Sequence, residues 1–136
     1  MTAEEAVLGA YRELYPAGQR AEKALPAERR MILAGVAAQP LLDRMLRGIA
    51  ALRATSRVTW GSPVIHASQV EIKDDRATLH DCQDGSNSGQ ADDKMGERLT
   101  HGKSGTHLRA TLHKGKDGAW RVSKVDQLEE PCSSTP

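Results

Sequence analysis

The sequence predicts an α+β fold in which three N-terminal helices pack on a curved antiparallel sheet. Two observations carry this: apolar residues recur at helical spacing through the first half of the chain and alternate in steps of two through the second. A third is their order, since helices followed by strands pack on one face of an antiparallel sheet. At 136 residues the chain reads as a single domain, 1–136, able to bury roughly two thirds of its unfolded surface. It has no Phe, two Trp and two Tyr. The interior therefore rests on Leu, Val, Ile, Ala and Met, which supply less apolar area per residue than aromatic rings.

Thr2 and Glu5 fit a capping box, and Val7, Leu8, Tyr11, Leu14 and Tyr15 share one helical face until Pro16 and Gly18, where the first helix is expected to end. Pro26 suits the first position of a second helix, where its missing N–H costs nothing; this helix carries Ile32, Leu33 and Val36. Pro40 opens a third, with an apolar stripe of Leu42, Met45, Leu46, Ile49 and Leu52. The stretch "TSRVTWGSPVIHA" holds one or two short strands broken at Gly61 and Pro63. "VEIKDDRATLHDCQ" reads as two strands joined at Lys73 to Arg76, and "THLRATLHKGKDGAWRVSKVD" as two more joined around Gly115, Asp117 and Gly118. Between these hairpins, residues 84–105 hold five glycines and little that is apolar, and are expected to form a mobile loop.

Nineteen basic against eighteen acidic residues, without long blocks of either sign, leave no electrostatic footprint for nucleic acid. No apolar run is long enough for a membrane span, and the acids in "MTAEEAVLGAYREL" are unlike a signal peptide, so the chain reads as soluble, with any export segment already removed. Cys82 and Cys132 have no C-x-x-C spacing. They are either a disulfide or two unrelated thiols in a reducing compartment. The position of Cys132 in a tail with little else to anchor it favours the bridge, which on the chain-entropy model is worth about 4 kcal/mol.

The motifs "AVLGAYRELY", "VTWGSPV", "ATLHDCQD" and "GAWRVSKVDQLEE", with Cys132, make the chain resemble the NTF2-like (cystatin-like) superfamily, cones with a pocket between sheet and helices. The likeness is strongest to small actinobacterial proteins of unassigned function, often exported or encoded on mobile elements. The resemblance implies a Cys82–Cys132 disulfide, an extracytoplasmic setting, with the cytoplasm as the alternative, and pairing of cones through their sheets. Where such proteins often carry a tryptophan after the Asp-Cys pair, this chain has Ser86, Asn87 and Ser88.

Strand alternation divides the triplet His80, Asp81 and Cys82. Ala77, Leu79 and Asp81 point to the interior, while Thr78, His80 and Cys82 point away. Asp81 is the one candidate for chemistry: a carboxyl group at an apolar pocket rim can serve as a general base, as in ketosteroid-isomerase-like and cyclase-like members of the superfamily. The expected pocket comprises Tyr11, Tyr15, Leu79, Asp81 and Trp120, with Tyr11 or Tyr15 as phenol donor. The expected core is Leu79, Leu108, Leu112, Trp120, Val122 and Val125. The alternative for Asp81 is a structural carboxyl group bound by an arginine or by backbone amides.

His107 and His113 share a face with Arg109 and Thr111, read as solvated; a zinc site would require His80 as a third ligand. "DGSNSGQADDKM" begins like a calcium loop but has Met95 where a bidentate acid is needed. "GERLTHGKSG" lacks the spacing and the following helix of a phosphate loop. No cofactor or metal is therefore expected. The reading is a non-catalytic binding or assembly module for a protein partner or a second copy, with room for a small hydrophobic ligand. The alternatives are an isomerase or cyclase using Asp81 as base, and a structural part of a conjugation or phage-related assembly.

Overall fold

Helix α1 (Ala3–Lys23) begins where the capping residues place it, the Thr2 hydroxyl accepting the Glu5 N–H at 3.0 Å. Glu4 and Glu5 in the first turn and Arg20 and Lys23 in the last complement its dipole. In this computed structural model, which describes residues 1–132, α1 does not stop at Pro16 or Gly18. A proline in a helix interior costs about 3 kcal/mol by local propensity, but Ala17, Ala21 and Glu22 beyond it are buried. Their burial holds the final turns in place. A Cβ at Gly18 would meet the Met45 methyl of the third helix at 3.6 Å, an ordinary van der Waals contact.

Pro26 occupies the first position of α2 (Pro26–Ala34), and the Arg29 side chain on α2 donates to the Ala21 carbonyl of α1 at 3.2 Å. Pro40 caps α3 (Leu41–Ala54), whose Leu42 and Ile49 are buried. The strands are β1 (Arg57–Gly61), β2 (Ala67–Lys73), β3 (Arg76–Gln83), β4 (Ser88–Asp92), β5 (Thr106–Lys114) and β6 (Trp120–Gln127). A four-stranded antiparallel sheet has the order β2-β3-β5-β6, and β1 pairs antiparallel with β4.

The two sheets share one long hairpin. The Asp74–Asp75 turn joins β2 to β3, and the Val64–Asp84 bridge, with backbone bonds of 2.8 and 2.9 Å, continues the pairing into β1 and β4. A bulge sharpens the bend: Gln69, at φ +54°, and Val70 stand opposite Leu79 alone. The β1 edge facing away from β4 is closed by α1, since Gln19 donates to the Gly61 carbonyl at 2.8 Å and Glu22 accepts the Thr59 N–H at 2.7 Å. Beyond β6, the α2–α3 connection runs parallel to the strand: Ala38 N–H donates to Val122 O at 2.8 Å, and Val122 N–H to Val36 O at 2.9 Å.

Ala77, Leu79, Ala110, Leu112 and Val122 meet Val7, Tyr11, Leu14, Leu33, Leu42 and Ile49 in one core. Trp120 joins it, while Leu108 and Val125 are only half-buried.

Residues 84–105 depart most from expectation. Instead of a structureless loop they carry β4 and a returning segment bonded along it, with Asp92 N–H to Glu97 O and Leu99 N–H to Gln90 O both at 2.8 Å, and Gly102 N–H to Ser88 O at 3.0 Å. The Trp60 indole donates to the Thr100 carbonyl at 2.8 Å, and the Arg98 guanidinium stacks on the Trp60 ring at 4.1 Å. Cys82 and Cys132 form a disulfide across 5.5 Å between Cα atoms, closing a separation of 50 residues.

At the opposite end of the β5–β6 hairpin, Arg121 grips Asp117 with two bonds of 3.0 and 2.8 Å and donates to the Ala34 carbonyl of α2 at 2.8 Å. Hydrogen bonding by Arg121, then by the Ala119 N–H, lowers the Asp117 carboxyl from the usual 3.8 to about 2. A depressed carboxyl stabilises fully above its unfolded value and loses that contribution as pH falls through its folded value. Replacing Arg121 with Met should therefore flatten the dependence of urea stability on pH between 3.8 and about 2, leaving the slope above that window unchanged. A side chain at Gly89 would collide with the Thr100 carbonyl, whereas Gly9 faces open space. Gly89→Ala is expected to lower unfolding free energy by about 1–3 kcal/mol and Gly9→Ala to raise it by about 0.5–1 kcal/mol, both measured by urea denaturation.

Candidate functional site

Alternation along β3 directs Leu79 and Asp81 inward, and both have no exposed surface. The Tyr11 hydroxyl on α1 donates to Asp81 Oδ2 at 2.6 Å, the His66 backbone N–H to Oδ1 at 2.8 Å, and the Gln83 side-chain amide to Oδ2 at 3.1 Å. Both oxygens are thus engaged by protein donors, one of them a backbone amide. No arginine takes part.

The direction of the protons follows from valence. Tyr11 has a single hydroxyl proton and gives it to Asp81, so across the 2.9 Å contact between the phenols it is Tyr15 that donates and Tyr11 that accepts. Their rings meet edge to face with centroids 5.6 Å apart. Burial, then the neighbouring Tyr15 and the bond to Asp81, push the Tyr11 phenol far above its ordinary range. Tyr15 is raised too, chiefly by burial, against the lowering effect of its Tyr11 and Gln83 contacts. Both phenols therefore keep their protons at ordinary pH, and both protons point inward.

Tyr15 lines a mostly apolar cleft of about 330 Å³ between α1, α3 and the end of β6, together with Leu14, Leu41, Met45, Ile49 and Val125. Glu22 lies on its wall, with Oε1 taking the Thr59 N–H and Oε2 the Thr59 hydroxyl, each at 2.7 Å. Of the expected pocket residues, Tyr11, Tyr15, Leu79 and Asp81 come together, with Tyr15 alone on the cleft wall. Trp120 lies at the other end of the sheet: it pairs with Lys114 on β5, six positions from the Leu108 that pairs with Asp81. Glu22, His66 and Gln83 were not anticipated. Gln83 was within reach, lying two positions from Asp81 on one face of β3. Glu22 sits beyond the expected end of α1, and His66 acts through its backbone.

The outer face of the sheet holds a hollow of about 730 Å³ beside the disulfide, bordered by His66, His80, His107 and Glu130. A polar groove of about 510 Å³ runs on from His80 past Arg109, Arg76 and Lys124. His107 is not simply solvated as expected, because its Nε2 lies 2.8 Å from His80 Nδ1 and its Nδ1 3.0 Å from the Glu130 carbonyl. His113 stands apart and exposed. Among the described residues, no group of three or more His, Cys, Asp or Glu is arranged to hold a metal ion. The acids of the calcium-like loop are used locally: Asp84 accepts the Ser86 N–H and hydroxyl, and Asp92 the N–H groups of Lys94 and Met95. These contacts lower both carboxyls below their usual range.

With the arrangement of helices, sheets and cleft established, comparison with solved structures supplies a counterpart. The intermembrane-space region of the chloroplast protein ARC6 superposes with a TM-score of 0.67, over 96% of this chain and 98% of its own, at 15% identity. The two share a fold. A ketosteroid isomerase-like protein from Erwinia carotovora atroseptica aligns over 87% of this chain and 96% of its own, with a TM-score of 0.48 and 11% identity. No protein-family model matches the chain, and no curated protein does. Three helices covering antiparallel sheet form the α+β architecture that the sequence predicts. Among the described residues, no helix is long and apolar enough to cross a membrane.

If the inner hydrogen bonds hold α1 to β3, removing the middle one should cost more than removing the outer one. Tyr11→Phe leaves buried Asp81 short of a donor and is expected to destabilise by about 1–3 kcal/mol. Tyr15→Phe, which leaves every donor to the Asp81 carboxylate in place, should cost less; equal losses in urea denaturation would contradict the direction of donation.

Proposed function

We propose that the protein is a non-catalytic binding module that receives an apolar group of a protein partner, or of a second copy, in the cleft between α1, α3 and the end of β6. The observation that carries this reading is the inward direction of every proton in the Tyr15, Tyr11 and Asp81 series. A general base needs a free oxygen within reach of substrate, and an electrophile stabiliser needs an outward proton. Asp81 has no exposed surface and takes three protein donors, and Glu22 is occupied by Thr59. The cleft therefore offers shape and apolar contact but no acid–base pair, and its size suits an aliphatic or aromatic side chain or a small hydrophobic molecule.

In this proposal the disulfide suits an oxidising, extracytoplasmic setting, as the resemblance to small exported actinobacterial proteins implies. The second reading, an isomerase using Asp81 as base, draws on the same carboxyl group lying behind a tyrosine-lined cleft.

One set of measurements separates the two. With methionine methyls labelled, the Met45 signal is expected to shift on titration with the hydrophobic probe anilinonaphthalene sulfonate, and a Met45→Glu variant to lose that binding. Incubation with a β,γ-unsaturated ketone should yield no conjugated enone by ultraviolet absorbance. Enone formation that disappears in Asp81→Asn would replace the binding module with the isomerase; an unmoved Met45 signal would remove the cleft from the proposal.

A further inference from the structure

The hydrogen bonds on the outer face determine where the protons of two histidines lie. The Glu130 carbonyl can only accept, so His107 Nδ1 must carry a proton to make its 3.0 Å bond. In neutral His107, Nε2 is then a lone pair, and the 2.8 Å contact with His80 Nδ1 requires His80 to donate. That assigns the remaining lone pair to His80 Nε2. The ring centroids are 5.0 Å apart, a nearly edge-to-edge arrangement suited to a hydrogen bond. Both neutral rings are thus held as the Nδ1–H tautomer, the less common one for free histidine.

We propose that His80 and His107 form a proton-operated latch on the C-terminal segment Leu128–Cys132, stable with no added proton or one and broken by a second. The first proton adds to His80 Nε2 and strengthens the bond that His80 already donates. A second can go only to His107 Nε2, where it meets the His80 N–H and places two imidazolium rings side by side. The rings must then part, and His107 carries its contacts with the segment: its Nδ1–H to Glu130 O, and its backbone carbonyl, which accepts the Leu128 N–H at 2.9 Å. The disulfide keeps the loosened segment attached through Cys132.

Other charges around the pair modulate both steps. Arg109 lies directly across from His80 on β5 and opposes protonation, while Asp126, opposite Arg109 on β6, favours it. His66 precedes β2 and borders the same hollow as Glu130; Glu71, Arg76, His113 and Lys124 lie along the adjoining groove. None of these can accept the His80 Nδ1 proton in place of His107 without breaking the observed bond.

Nitrogen-15 NMR of the histidine side chains, followed from neutral to acid pH, tests the latch on the intact protein. Both rings should report the Nδ1–H tautomer at neutral pH, and the pair should take up its protons in two separate steps, the first at His80 Nε2 and the second at His107 Nε2. The hydrogen-exchange protection of the Leu128 amide, corrected for the intrinsic pH effect, should fall at least tenfold through the second step only. His80→Phe should leave a single protonation step at His107 and remove the second-step change. An Nε2–H tautomer at His107, independent titration of the two rings, or Leu128 protection indifferent to the second step would each overturn the proposal.

Discussion

A buried carboxyl group sets the terms for the rest of the molecule. Asp81 has no contact with solvent, so each of its hydrogen bonds must be made within the protein, and an unpaired donor or acceptor in such a place costs about 1–3 kcal/mol. Its partners come from three places: a tyrosine on α1, the backbone just before β2, and a glutamine two residues along its own strand. Apolar burial alone is non-directional and would tolerate sliding of the helix on the sheet. The directed bonds of Asp81 do not, and a satisfied buried polar network specifies one arrangement.

Much of this was legible from local pattern. Alternation placed Asp81 with Ala77 and Leu79 on the inner face, and the turn residues at Asp74–Asp75 and Gly115–Gly118 located both main hairpins. β4 was not legible, because within Ser88–Asp92 the single buried residue is Ala91 and no apolar alternation marks the strand. Its stability comes from β1 and from the returning segment, contacts that span distant stretches of chain. The extension of α1 past Pro16 was hidden for a related reason: propensity is a local quantity, and burial of Ala17, Ala21 and Glu22 outweighs it. The inward direction of the phenol protons required three residues from two elements to be seen together.

Consecutive residues of β3 serve separate purposes because the pleat sends them to opposite sides. Asp81 joins helix to sheet from within. His80 and Cys82, on the outer surface, both act on the C-terminal segment, one through His107 and the Glu130 carbonyl and the other through the covalent bridge. The segment is thus fastened once by a bond insensitive to protons and once by bonds that depend on them.

The closing of strand borders has a consequence for behaviour at high concentration. An open β-edge is a template on which another chain can add. Here the flank of β6 is bonded to the α2–α3 connection, that of β1 to Gln19 and Glu22, and that of β4 to the segment running from Glu97 to Gly102. The remaining flank, along β2, is kinked at Gln69 and carries Glu71 and Lys73. Side chains and irregular backbone stand in for absent strands, so little open β-edge is left on which another chain could add in fibrous growth.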